Sequence, residues 1–360
     1  TLKHMPLYWG PQPFTAGPMY MGAISIFLFV LGLILCRGRE KWWVLAATVV
    51  AVLLSWGNHF MWFTRLWFEY VPMYNKFRTV SMALIILQVT VPMLGFYVLD
   101  KVLKEKYSFK EFIKAGGIAW IFTAGFCLLA ALLPGIAGTF TASVDAGQPE
   151  ILVDALVADR QSLLRADAWR SCVLITVLFA LLFWAYRTPK TDAVGPQGSF
   201  VRKGRMTIVA VATVLLVFFD LVPVGKRYLN KDHFVTPKDF SAAYDPRPVD
   251  EMLFEDEDPN FRVLDISINT FNSSIASYHH KTIGGYSPVK LRRYQDIIDH
   301  FFSGRDLNMN IINMLNVRYL IVPGENGAQK VQRNPQALGN CWFVDKVEFV
   351  ADPNEEIKAI

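Results

Sequence analysis

The sequence predicts a membrane-embedded all-α domain of about six transmembrane helices, followed by a small extracytoplasmic α/β (α+β) domain. Three observations carry this. Six long apolar runs are confined to residues 1–224; the charge balance reverses there; and the texture changes from unbroken apolar stretches to turn residues and short alternating segments. Hydrophobic residues make up 53% of the 360, and the mean hydropathy is +0.28, above a typical soluble composition. That composition argues against a wholly soluble or disordered chain.

A helix crossing a hydrocarbon core of about 30 Å needs about 20 mostly apolar residues, because its backbone polar groups must be satisfied internally. Runs 18–36, 42–56, 79–99, 117–134, 170–186 and 206–224 meet or approach that length. The first two, joined by the tight turn 37–41, read as a helical hairpin. Orientation follows from Lys and Arg in short loops. Segments 37–41, 100–114 and 187–205 carry 13 of them in 39 residues, against seven in the 75 residues of the alternate segments. The basic loops are therefore predicted to be cytoplasmic, with both ends of the chain outside. Topology alone accounts for these cations, without a lipid-recognition or nucleic-acid role.

The outer segments hold the candidate chemistry. Eight of the 22 residues 57–78 are aromatic, among them Trp62, Trp67, Tyr70 and Tyr74. A helix in the headgroup plane explains them, either as an aromatic belt or as the floor of a substrate site. Lys76 and Arg78 follow, on the side where a cytoplasmic topology signal has no purpose. They suit a lipid-linked phosphate, and snorkelling to anionic headgroups is the alternative. From Glu150 a helix is expected to run into the span at 170–186, with Asp154, Asp159, Arg160, Arg165 and Asp167 as a solvated, ion-paired face; Asp154 and Asp159 are the weak candidates for a catalytic carboxylate. Asp220, inside the last span, is expected to pair with Lys226 or Arg227 and anchor that helix to the outer domain.

In residues 225–360 the net charge is −3, against +8 in 1–224. Phe261 to Ser267 and Val317 to Val322 read as buried strands, Cys341 to Val350 as an edge or hairpin strand, and Val289 to Phe302 and Leu307 to Leu315 as helices bounded by Gly304. The acidic run Glu255 to Asp258 contains a DxD spacing but reads as a solvated loop. Lys281, Lys290, Arg292 and Arg293 surround a predicted helix start, with Ser287 to cap it and Pro288 in its first turn, a possible anion site or plain capping. The four cysteines and the adjacent His279 and His280 show no metal-ligand spacing, so no cofactor is evident and a divalent metal stays open. Thr1 as first residue, and a helix start near Asp352 close to the last, read as a piece of a longer chain.

The segments WGPQPFTAGPMYMGA, VPMYNKFR, DLVPVGKRYLN, IGGYSPVKLRRYQ, MLNVRYLI and NPQALGNCWFV, in this order and spacing, resemble YfhO-type bacterial membrane proteins in the form seen in Bacteroidetes. The resemblance covers nearly the whole chain. It implies a multi-pass protein of the bacterial inner membrane, of the GT-C glycosyltransferase class, with its C-terminal domain on the periplasmic side. Such a protein moves a sugar from a polyprenyl-phosphate donor to a cell-envelope glycan or protein acceptor; no nucleic acid is involved. The class carries its catalytic acid in an outer loop of an N-terminal module that this chain is expected to lack, so no position here inherits that role. Lys76 and Arg78 match the cations that stabilise the departing lipid phosphate. The alternatives are a non-catalytic scaffold of a cell-envelope assembly, or a transporter or flippase, for which the spans offer few midplane ionisable groups.

Overall fold

The structure, a computed structural model, describes residues 7–10, 19–76, 79–187, 196–287, 289–302 and 307–359. They fall into two compact units, Thr1–His233 and Phe234–Ile360.

The first unit is helical: α1 (Ala23–Leu35), α2 (Glu40–Ser55), α3 (Met61–Tyr70), α4 (Ile85–Leu103, preceded by a 3-10 turn Val80–Leu84), α5 (Phe109–Trp120) and α6 (Phe126–Leu132) joined by a π turn at Ile121–Gly125, α7 (Glu150–Tyr186) and α8 (Pro196–Tyr228). Among the described residues, four helical stretches are long and apolar enough to cross a membrane: Val80–Leu103, Phe109–Leu132, Glu150–Tyr186 and Gly204–His233. A fifth arises if α2 and the Gly57–Tyr70 stretch, bent by 110° at Trp56, count as one. The predicted first span is shorter than expected: the chain is helical only over Ala23–Leu35, about 20 Å, since Gly22 has φ +89° and Cys36 is extended.

α1 is the centre of this unit. Ile24, Phe27, Leu28 and Leu31 are fully buried, and its neighbours include α4, α5, α7 and α8. Its packing on α4 depends on two glycines. A Cβ on Gly32 would come 2.9 Å from Leu94, and one on Gly95 would come 3.1 Å from Leu28 and 3.3 Å from the Ser25 carbonyl. Small residues that let two backbones approach are how helices associate where lipid supplies no hydrophobic contrast. Between α2 and α4 the contact is polar, Thr48 Oγ1 lying 2.8 Å from Thr90 Oγ1. Trp120 Nε1 donates to Thr176 Oγ1 at 2.9 Å, tying α5 to α7 beside the π turn.

α7 is one helix of 37 residues, about 55 Å, far longer than a bilayer core. Its N-terminal half is not the fully solvated face expected from the sequence. Arg160 is completely buried: Nη1 donates to the Phe140 carbonyl at 2.8 Å and to Asp145 Oδ2 at 2.6 Å, and Nη2 to Asp145 Oδ1 at 3.0 Å. The pair clamps the 133–149 connection onto α7, because a buried guanidinium is tolerated only with its carboxylate and carbonyl partners in place. α8 in turn stays helical through Tyr228, and a 3-10 turn follows at Lys231–His233, so the unit ends nine residues beyond the predicted boundary at 224.

The second unit contains α9 (Pro237–Ala242), α10 (Pro248–Leu253), β1 (Arg262–Asp265), α11 (Ile275–His279), α12 (Arg292–Phe301), α13 (Met309–Met314), β2 (Val317–Pro323), β3 (Gln329–Arg333) and α14 (Pro353–Ala359). The sheet runs β1-β2-β3, with β1 parallel and β3 antiparallel to β2. Alternation along the strands fills both faces: Leu264, Val317 and Leu320 pack with Ile283 and Ile312, while Val263 and Ile321 pack with Val249 and Leu253. β1 and β2 lie where the apolar runs predict them. Cys341 to Val350 forms no strand, and Phe343 and Phe349 are fully exposed; β3, which is polar, takes the edge of β2 instead. α12 begins at Arg292 rather than Val289, and Pro288 and Gly304 lie outside the described residues.

Buried acids hold this unit together. Asp250 and Asp265 share Arg247, at 2.8 Å each, and His280 Nε2 lies 2.9 Å from Asp250 Oδ1. Asp256 and Asp258, expected in a solvated loop, are gripped by Arg318, and the Tyr319 hydroxyl donates to Asp256 at 2.7 Å. The DxD spacing is thereby consumed in joining this loop to β2. Burial alone would raise the Asp250 carboxyl, but Arg247, by side chain and backbone, and His280 outweigh it and hold it at about 2.

A carboxyl held below its ordinary 3.8 contributes stability that is complete above that pH and is lost as pH falls toward 2. The expected outcome is that amide protection of Val263 to Asp265 in wild type, as a ratio to that in Asp250→Asn, declines toward one between pH 4 and 2. A ratio constant across that window would refute the account.

Candidate functional site

A cluster of charged and hydrogen-bonding side chains forms where α1, α6, α7 and α8 meet. It is built on a burial problem. The N-terminus of α1 is enclosed, and its first amides lack intrahelical partners. Asp220, fully buried on α8, meets that need: the Tyr20 hydroxyl donates to Asp220 Oδ1 at 2.6 Å, the Ile24 N–H to Oδ2 at 3.4 Å, and the Ala23 N–H to the Tyr20 oxygen at 3.2 Å. Gly22 fits for two reasons: its φ is positive, and a Cβ there would lie 3.1 Å from Asp220 Oδ2. The predicted pairing of Asp220 with Lys226 or Arg227 is therefore replaced by an acceptor role toward α1.

Arg227 turns to α7. Its Nη1 and Nη2 donate to the two oxygens of Asp167, at 2.6 Å each, a bidentate pair. Arg170, one turn along α7, donates to the same carboxylate at 2.9 Å, and its guanidinium lies 5.9 Å from the Tyr20 ring centroid. The Arg170 Nε is buried with no hydrogen-bond partner among the described residues.

These groups border a cleft of about 480 Å³ whose other walls are apolar, including Phe126, Cys127, Ala130, Leu164 and Val224. Two guanidiniums share one carboxylate on the cleft lining, and the Asp220 carboxylate, bonded to Tyr20, is not itself among the lining residues. Tyr228 lines the cleft and is exposed, as is Trp169 next to Arg170 in the chain. A cleft with two arginines and mostly apolar walls is matched to an amphiphile with an anionic head.

The residues singled out in the sequence lie elsewhere. Lys76 is exposed on a 3-10 turn, Tyr74–Lys76, and Arg78 lies outside the described residues. Trp67 and Tyr74 belong to a row of rings, Trp56, Phe60, Phe63, Trp67 and Tyr74, with successive centroids 5.7 to 6.2 Å apart. Trp62 packs on Phe60 and Phe63 but is 70% exposed, and Tyr70 is 77% exposed. The Tyr74 hydroxyl is buried without a partner among the described residues. Asp154 and Asp159 are exposed on the N-terminal half of α7, and of these residues none of the described ones lines the cleft.

In the second unit the four cations do not converge. Lys281 donates to the Pro259 carbonyl at 2.6 Å, Arg292 pairs with Asp296 at 2.9 Å, and Arg293 is exposed. Lys290, 6.0 Å from the Phe271 ring, lines a separate cleft of about 440 Å³ with Arg262 and Tyr294. Leu291 is the residue preceding α12, and no side chain caps that helix. Among the described residues no group of three or more His, Cys, Asp or Glu side chains could hold a metal ion.

Sequence reasoning assigns no role to Tyr20 or Arg170, and it gives Asp167 and Arg227 other partners than those found. Asp220 alone signalled the site, as a single acid in an apolar span. Tyr20→Phe leaves a buried carboxylate oxygen without its donor, and is expected to cost about 1–3 kcal/mol, read as a lower thermal midpoint in detergent. An unchanged midpoint would show that the Tyr20–Asp220 bond does not hold α1. No family model, curated protein or solved structure matches the chain.

Proposed function

We propose that the protein is part of a multi-pass inner-membrane enzyme of the GT-C glycosyltransferase class, in which the cleft at Tyr20, Arg170 and Arg227 holds the phosphate of a polyprenyl-linked sugar. α1 and α2 complete six crossings, the end carrying Arg37 and Lys101 to Lys106 faces the cytoplasm, and the cleft and the second unit face outward. The observation that carries this reading is the pairing of two guanidiniums with a single carboxylate in a cleft with mostly apolar walls. An isoprenoid phosphate presents the matching features, a polar anion on an apolar chain, and cations there stabilise the leaving lipid phosphate when the sugar moves to its acceptor. The resemblance of the chain to YfhO-type proteins supports the same chemistry. Lys76 and Arg78 are assigned a peripheral part, drawing the lipid phosphate toward the bilayer surface. The base that deprotonates the acceptor is not assigned to Asp154, Asp159 or Asp167, the last being committed to Arg227 and Arg170.

Arg227→Ala is expected to weaken binding of undecaprenyl phosphate to the purified protein and to lower sugar transfer by membranes of the expressing strain by about a hundredfold. Arg227→Lys restores little, because an ammonium cannot make the bidentate contact. Undiminished binding in Arg227→Ala would remove the cleft from the mechanism. Sidedness has its own test. Cys341 is exposed, whereas Cys36 and Cys172 are buried. A membrane-impermeant maleimide is expected to label Cys341 in intact spheroplasts, and labelling only after lysis would reverse the orientation.

A further inference from the structure

The opposite end of the first unit holds a second polar cleft, of about 540 Å³, between the α1–α2 turn, the end of α4 and the start of α5. Arg37, Lys101, Lys104 and Lys106 line it, against two carboxylates, Asp100 and Glu111. Both acids are engaged. Asp100 lies 2.8 Å from Lys104 Nζ, and Glu111 pairs with Arg37 while accepting from the Ser108 N–H at 2.9 Å to close the N-terminal cap of α5. Neither Lys101 nor Lys106 forms an ion pair among the described residues, although Lys101 meets the Tyr97 hydroxyl and feels the Glu40 carboxylate at longer range. The fold forces them together: Glu105 adopts a left-handed φ of 53°, and the chain reverses so that the Lys106 N–H donates to the Lys101 carbonyl at 3.0 Å. A basic loop needed only to set topology has no reason to be wrapped into a cleft.

Its depth is marked independently. Trp42, Trp43, Tyr97 and Phe109 are all exposed at this end, with Lys41 5.2 Å from the Trp42 ring and Lys101 4.2 Å from the Tyr97 ring. Exposed aromatics carrying lysines on their faces belong at the headgroup level, where the ammonium meets lipid phosphates rather than a solute in bulk water.

We infer that this cleft is a binding site for the phosphodiester of an anionic lipid, drawn from the leaflet at that end of the bundle. Lys101 and Lys106 supply the uncompensated charge, while Arg37 and Lys104, already paired, shape the walls. The site is distinct from the cleft at Arg170 and Arg227, and it asks for a bilayer lipid rather than a sugar donor.

The test is native mass spectrometry and lipid titration of the purified chain in detergent, with phosphatidylglycerol, phosphatidylcholine, inorganic phosphate and ATP as probes. Wild type is expected to retain phosphatidylglycerol over phosphatidylcholine. Each surface lysine contributes about fivefold to attraction of an anionic lipid, so Lys101→Gln/Lys106→Gln should bind phosphatidylglycerol about 25-fold more weakly. Lys110→Gln/Lys114→Gln removes the same charge from α5 outside the cleft and should change binding by less than about twofold, as expected for a localised site. Equal losses in the two double variants would overturn the site in favour of diffuse attraction. Displacement of phosphatidylglycerol by millimolar inorganic phosphate or ATP would overturn the lipid assignment in favour of a soluble phosphate. If the cleft variant has a lowered thermal midpoint, Lys106→Gln alone, at an exposed position, reads the same effect at about fivefold.

Discussion

Enclosing α1 is the constraint from which the rest of the first unit follows. A helix packed by neighbours on most sides presents no wet face on which to leave its first amides, so its N-terminus needs a partner inside the protein. The Asp220 carboxylate and the Tyr20 hydroxyl are that partner. Placing an acid there fixes the C-terminal part of α8 against the start of α1. This leaves Arg227, nearly two turns further, beyond the buried layer, where it can reach across to α7. Gly22, Gly32 and Gly95 are the sequence's concession to the same packing: one turns the chain into the helix beside the carboxylate, and two let α4 approach.

The same use of acids recurs through the molecule. Asp145 receives Arg160, Asp167 receives Arg170 and Arg227, Asp250 and Asp265 divide Arg247, and Asp256 and Asp258 close on Arg318. In each case a carboxylate on one element is met by a guanidinium, and in most of them the partner comes from a different element. Arginine suits this work because a planar fork binds two acceptors at once and stays charged when partly buried. Such pairs are uncertain sources of net stability but effective in fixing which segments meet. A carboxylate with a second guanidinium to spare is then the natural place for an anion to enter, and that condition holds at Asp167.

Legibility in the sequence divides along physical lines. The long spans are visible because crossing or filling an apolar layer is a matter of composition over about 20 residues. β1 and β2 are visible because strands buried on both faces are short apolar runs. Cys341 to Val350 shows the limit of that reasoning: alternation permits a strand but does not supply a neighbour, and the edge of β2 went to β3, where Val331 is the single apolar residue. Arg160 and Asp256 were hidden for a related reason, since a charged residue on a helix or loop reads as solvated until its partner is placed. The site was hidden most deeply. Its residues come from positions 19–20, 126–130, 164–171 and 224–228, and no periodicity links such segments.

That separation has a consequence in time. Tyr20 and Asp220 are 200 positions apart. At a synthesis rate of about 5–20 residues per second, α1 waits on the order of ten to forty seconds for the carboxylate that completes it. During that interval a stretch of 13 helical residues, too short to span a bilayer unaided, must be sheltered by the translocation machinery or by α4, α5 and α7 as they arrive. Assembly of this bundle is thus a late event governed by the arrival of α8. A substitution at Asp220 would lengthen the period of exposure as well as weaken the finished fold, and reduced yield in the membrane would precede any loss of activity.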